Sequence, residues 1–293
     1  MNILEQHICE TLKQTYESSS FNTGYPRHKS WECCHKVFLK LHKKEEELND
    51  DDYEYLALHL AFYLASYGMY RGSCPLLQSN YKIHIEVVKE VMKKDYELLW
   101  DYDPTKIKPS KVYDLLFGIK GKKGIYQIIE DIYSKTFIDK EYLSENEGNK
   151  VSIKKVRKKP TATLITKILL GTFACIPAFD TFFKEAYKKY KDGEKKSKNT
   201  NPSKAFTSLC DFVIKYYWEL QFKCPDIYYP PMKVLDLYFW RVGYGLSLID
   251  KLSGSCSLKI EKTLIEEKFF NDKSDLAKYP SSTDKRNKIN FPF

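Results

Sequence analysis

TATLITKILLGTFACIPAFDTFF, residues 161–183, is the stretch on which the fold reading turns. Only Lys167 and Asp180 are charged in it; the rest is apolar, glycine, proline or hydroxyl-bearing. Its pattern predicts a helix over 161–174, a turn at Pro177, and a second helix running to about Lys191. The charge-free part Ile168–Phe179 is shorter than the ~18 residues a spanning helix needs, and it contains Gly171 and Pro177. It therefore reads as core. Tyr55–Tyr70 is the companion stretch: it has no formal charge, includes His59, and is also too short to span. A helix from about Tyr53 to Tyr67, apolar almost all round, should be central.

Working outward, the rest of the chain repeats the helical pattern. A chain of 293 residues with 43% hydrophobic and 15% aromatic residues can bury a large core. Its 12 glycines and 12 prolines are too few for a turn-rich β protein. Helices are predicted over 3–17, from Ser30 as cap to about Lys44, and over 81–100, 110–117, 125–137 and 203–222. Another runs from Pro231 to about Gly243 or Gly245. Residues 139–160 lack apolar periodicity. The expected architecture is all-α, two-lobed, with little or no β-structure. It comprises an N-terminal lobe over 1–138, a basic linker over 139–160, a C-terminal lobe over 161–270 and a loosely packed tail over 271–293. Ser257–Ile260 is the one strand candidate.

Eight cysteines are scattered without a Cys-x-x-Cys pair, which fits reduced thiols of a cytoplasmic protein better than a disulfide framework. The N-terminal MNILEQHICE lacks the basic start of a secretory signal, and no membrane association is expected. Net charge is +9, distributed as −3, +9 and +3 over residues 1–100, 101–200 and 201–293. Two runs concentrate it. One comprises Lys150, Lys154, Lys155, Arg157, Lys158 and Lys159; the other comprises Lys184, Lys188, Lys189, Lys191, Lys195, Lys196 and Lys198. Such runs attract phosphate-rich partners, and they also serve simply to solvate a loop. Gly118–Gly124, rich in glycine and lysine but lacking the Gly-Lys-Ser/Thr ending of a phosphate loop, reads as a basic turn that could touch phosphate.

Two places invite chemistry. Asp180 and Lys167 stand in apolar surroundings, so Asp180 is either an acid, base or electrostatic stabiliser, or the N-cap of the helix after Pro177. Lys167 either pairs with it or reaches solvent. Arg71 follows a charge-free helix between Gly68 and Gly72, beside Ser73. It either forks onto an anion, with Tyr67, Tyr70 and Gln78 lining the site, or bonds the last carbonyls of its helix. The six histidines fail a metal test by spacing: His35 and His42 lie two turns apart, ~10 Å, and there is no His-x-x-x-His pair. No cofactor motif is present. Neither Cys33 nor Cys34 has a local activating pattern. The dense aromatics of the second lobe read mainly as packing, with Tyr228, Tyr229 and Trp240 open to stacking on bases.

Thr161-Ala162, the apolar helix, Pro177 and Asp180-Thr181 resemble part of the helix–hairpin–helix DNA glycosylases, over about 25 residues. That resemblance implies a catalytic role for Asp180 in stabilising charge as the base leaves. It puts Lys159 near the position of a lysine nucleophile. The family's glycine hairpin, however, is replaced here by Lys154-Lys155-Val156-Arg157-Lys158-Lys159-Pro160, leaving charge alone to hold phosphate. Ser30-Trp31-Glu32, the run Phe62 to Ser73, Lys167-Ile168-Leu169-Leu170-Gly171 and Pro231-Met232-Lys233 resemble an uncharacterised bacterial protein family over most of the chain, which implies no activity. The leading expectation is nucleic-acid binding through Lys154, Lys155, Arg157, Lys158 and Lys159, with any catalysis at Asp180 and Lys167. Two alternatives stand beside it. One is a helical scaffold for protein partners without catalysis. The other is an enzyme acting on an anionic small molecule through Arg71, Ser73, Tyr67 and Tyr70.

Overall fold

The computed structural model describes residues 3–17, 28–72, 74–146, 150–192, 201–220 and 229–252. Among these residues the fold is all-α apart from one hairpin. The helices are α1 (Ile3–Glu17), α2 (His28–His42), α3 (Asp50–Ser66), α4 (Ile85–Val91), α5 (Pro109–Phe117) and α6 (Ile125–Thr136). After the hairpin come α7 (Ala162–Thr172), α8 (Thr181–Asp192), α9 (Pro202–Lys215) and α10 (Pro231–Leu252). No helix among the described residues is long and apolar enough to cross a membrane.

The stretch expected as an irregular basic linker is an antiparallel pair, β1 (Ile138–Asn146) and β2 (Lys150–Arg157). Leu143 stands opposite Ile153 and Glu141 opposite Lys155, with a register shift between Ile138 and Lys140. It is the one sheet among the described residues. Backbone pairing needs no continuous apolar alternation, so a hairpin rich in charged residues leaves little periodic signal. The expected helix over 81–100 is also broken. It is α4 flanked by 3-10 turns at Tyr81–His84 and Lys94–Leu99, with Lys93 extended between them.

The chain forms two compact units. The first comprises Arg27–Phe179 with Asn201–Asp211; the second comprises Met1–Pro26, Asp180–Thr200 and Phe212–Phe293. The division read at 139–160 thus falls inside the first unit, and α7 belongs with the residues before the hairpin. Long-range hydrogen bonds explain why. The C-terminal carbonyls of a helix have no partner within it. Here Leu170 O takes the Trp31 indole N–H at 2.9 Å and Thr172 O takes His35 Nδ1–H at 2.8 Å, both from α2. Tyr63 Oη of α3 donates to Lys167 O at 3.2 Å. Residues 164–172 are all buried, so α7 rather than α3 is the enclosed helix of this unit. α3 buries Leu56, Ala57, Leu60, Ala61, Tyr63 and Leu64 and leaves its other side to solvent. Its start is set by a capping box in which Asn49 Oδ1 accepts from Asp52 N at 2.9 Å and Asp52 Oδ2 accepts from Asn49 N at 3.1 Å.

In the second unit α10 begins at Pro231, as its fixed φ favours. It does not stop at Gly243 or Gly245 but continues to Leu252. α8 and α10 pack together, with Phe183 and Tyr187 against Phe239. α1 joins them through His7 Nδ1, 3.2 Å from Tyr238 Oη. The expected tail over 271–293 and the strand candidate at 257–260 lie outside the described residues.

Candidate functional site

Lys167 is buried, and its ammonium donates to the carbonyl of Tyr67 at 3.1 Å while lying 5.3 Å from the centre of the Tyr67 ring. Tyr67 is the C-cap of α3. A cation at that point satisfies a terminal carbonyl and faces the negative end of the helix dipole. From sequence Lys167 was expected to meet Asp180 or solvent; in the fold it bonds the backbone of Tyr67, one of the residues expected to line an anion site. Gly68, at φ 72°, lets the chain turn back, and the Arg71 side chain folds over it, its Nε 3.1 Å from where a Gly68 Cβ would stand. Arg71 is exposed. Two cations therefore meet the end of α3. Ser73 lies outside the described residues.

Tyr70 leads inward to a group that the sequence did not single out. His84 is fully enclosed, with Tyr133 Oη 2.5 Å from Nδ1 and Tyr70 Oη 2.7 Å from Nε2. A neutral imidazole donates through one nitrogen and accepts at the other, so one hydroxyl gives a proton to the ring and the other receives one. Burial holds the His84 pKa down at about 3. Burial, with the Cys74 thiol nearby, pushes Tyr70 up to about 12. The relay is neutral at ordinary pH and orders the segment after α3 against α6.

An acid-stability prediction follows from that burial. The unfolded chain takes up a proton near pH 6.5, whereas folded His84 resists protonation until about pH 3. Stability is therefore unaffected above pH 6.5 and falls as pH drops through the window between those values. Between pH 6.5 and 5 this one group should remove about 2 kcal/mol. Urea melts of the wild type and His84→Gln across that range check it. The variant should be weaker at pH 7 but shallower in its pH slope; equal slopes would refute the assignment to His84.

Asp180 is the N-cap of α8. Its Oδ1 accepts from Phe183 N at 3.1 Å and its carbonyl from Lys184 N at 3.0 Å. That is the structural role open to it from sequence. It belongs to the second compact unit and Lys167 to the first.

The basic residues converge elsewhere. The 118–124 segment is a tight turn in which Ile119 and Lys122 exchange backbone hydrogen bonds at 3.0 and 2.9 Å. Gly118 and Gly121 have φ of 77° and 86°, and a Cβ on Gly118 would sit 2.4 Å from Lys122 O. The turn thus presents Lys120, Lys122 and Lys123 to solvent. Lys123 bonds the Asp131 carboxylate on α6. That hydrogen bond foremost, with the charges of Lys123, Lys135 and Lys159, holds the Asp131 carboxyl below its ordinary value. Lys159, just past β2, also lies 4.0 Å from Glu130. Lys158 donates its backbone N–H to Phe137 O at 3.3 Å, fastening the exit of β2 beside the end of α6. Lys154, Lys155 and Arg157 occupy β2 itself, and their side chains lie outside the described atoms. Lys123, Lys135 and Lys159 thus gather about Asp131, with Glu130 within reach of the last of them. Lys123 and Lys135 were not among the binding residues read from sequence; only the glycine-lysine turn had hinted at the first.

No family model matches the chain, and no curated protein or solved structure matches it either.

Proposed function

We propose that the protein binds a polyanion, nucleic acid in particular, on the face shared by the 118–124 turn, the last turn of α6 and the exit of β2. One observation carries this reading: Lys123, Lys135 and Lys159, from three stretches well apart in sequence, all act on the single carboxylate of Asp131. Lone lysines on a loop keep a protein in solution. Gathered from separate elements, with too few acids to neutralise them, they create a local potential that attracts phosphate and displaces its counterions. Lys154, Lys155 and Arg157 lie on β2, the strand that leads to that exit. Asp180 has no part in this proposal, since its carboxylate caps a helix, nor has Lys167, which closes another.

Fluorescence anisotropy with single- and double-stranded oligonucleotides tests it. Affinity should fall steeply and linearly in a plot of log K against log salt. Reversing Lys123, Lys135 and Lys159 to Glu should weaken binding by roughly tenfold or more and lower the slope by about 2 to 3. Asp131→Asn should strengthen it. Circular dichroism serves as the folding control, since the three lysines are exposed. Binding that ignores salt, or a triple variant with wild-type affinity, would end the proposal.

A further inference from the structure

Beyond its first residue, Asp50, the exposed positions of α3 are Asp51, Tyr55, Leu58, Phe62 and Ala65. Their spacing is four, three, four, three, the 3.5-residue repeat of a helix seam rather than the scatter of isolated surface residues. Tyr55 and Leu58 are each 50% exposed and Phe62 67%, so the middle of this seam is large, apolar and open to water. The opposite side of α3 is already packed. A narrow seam of this period fits another helix, and its charges suggest which one. At its N-terminal end stand exposed Glu45, Glu46, Glu47, Asp50 and Asp51; beyond its C-terminal end stands exposed Arg71. Negative at one end and positive at the other, the surface complements itself when reversed.

We infer that α3 pairs antiparallel with α3 of a second copy of this chain, about a two-fold axis at Leu58. In that arrangement Leu58 meets its counterpart and Tyr55 faces the partner copy's Phe62 position. The acidic end lies towards the guanidinium of the other chain. A two-fold contact of this kind uses one patch twice and closes after two copies. The aromatic pair and the central leucine supply its apolar core, while the charged ends set direction.

Sedimentation velocity on the full chain tests this directly. A dimer is expected, with Leu58→Asp and Phe62→Asp each raising its dissociation constant by roughly tenfold or more and Arg71→Glu weakening it. Thermal melts should confirm that these exposed substitutions leave the monomer folded. Direction is read by cysteine pairing in a Cys9→Ser, Cys33→Ser background. Leu58→Cys should cross-link to itself on oxidation. Phe62→Cys should not, because antiparallel copies of residue 62 lie about 12 Å apart along the axis. A monomer at all concentrations, a dimer indifferent to Leu58→Asp and Phe62→Asp, or equal cross-linking at residues 58 and 62 would each overturn the inference.

Discussion

Asp236→Ala is expected to destabilise the protein by about 3–5 kcal/mol. Lys233 and Asp236 sit one turn apart on α10, with Nζ 2.9 Å from Oδ2, and are only 1% and 6% exposed. Each charge was removed from water during folding, and their mutual attraction offsets that cost. Removing the carboxylate takes a charged partner from a buried ammonium, which costs more than one lost hydrogen bond between neutral groups. The double change Lys233→Met with Asp236→Leu should recover most of the loss, because apolar groups of similar size need no such compensation. Urea titrations of the three proteins measure both effects. A loss below about 1 kcal/mol for Asp236→Ala would mean that water reaches the pair after all.

Gly243→Ala should cost about 3 kcal/mol, although alanine is the better helix former. A Cβ at 243 would lie 1.9 Å from the carbonyl oxygen of Phe182 and 2.5 Å from its carbon. These are backbone atoms in the first turn of α8 and cannot rotate aside. The Phe182 ring is also held, edge-on to Trp240 at 5.6 Å and to Tyr244 at 5.4 Å, with those two rings stacked on each other. A methyl group would therefore separate α8 from α10 and pull Phe182 away from those two rings. The propensity gain of about 1 kcal/mol is too small to compensate. Thermal melting decides the sign: a variant as stable as the wild type would show that the two helices tolerate separation.

Gly243 also marks where sequence reasoning stops. Read along the chain, a glycine late in an apolar helix looks like a terminator; against Phe182 it is the point of closest approach. The same shift in meaning applies to Lys167, whose partner is Tyr67, a hundred residues earlier. His84 gave no signal either, because the residues that enclose it, Tyr70 and Tyr133, come from segments with no local pattern in common. The hairpin at 138–157 was hidden by its charge, though Gly148-Asn149 between the strands are turn-favouring residue types. By contrast, Asp180 as a cap and Pro231 as a helix start were legible, since each depends on neighbours within one turn.

What the amino-acid order determined alone was local: the helical class, most helix starts, the too-short apolar runs, and the lysine runs. These rest on periodicity and on hydrogen bonds spanning three or four residues. Which faces meet was decided only by the folded chain. α7 joined α2 because Trp31 and His35 answer its terminal carbonyls, and α3 because Tyr63 reaches the Lys167 carbonyl; the lysines of three segments converged because β2 ends beside α6. Such contacts close loops of up to 139 residues, and no local pattern encodes the partner at the far side of a loop.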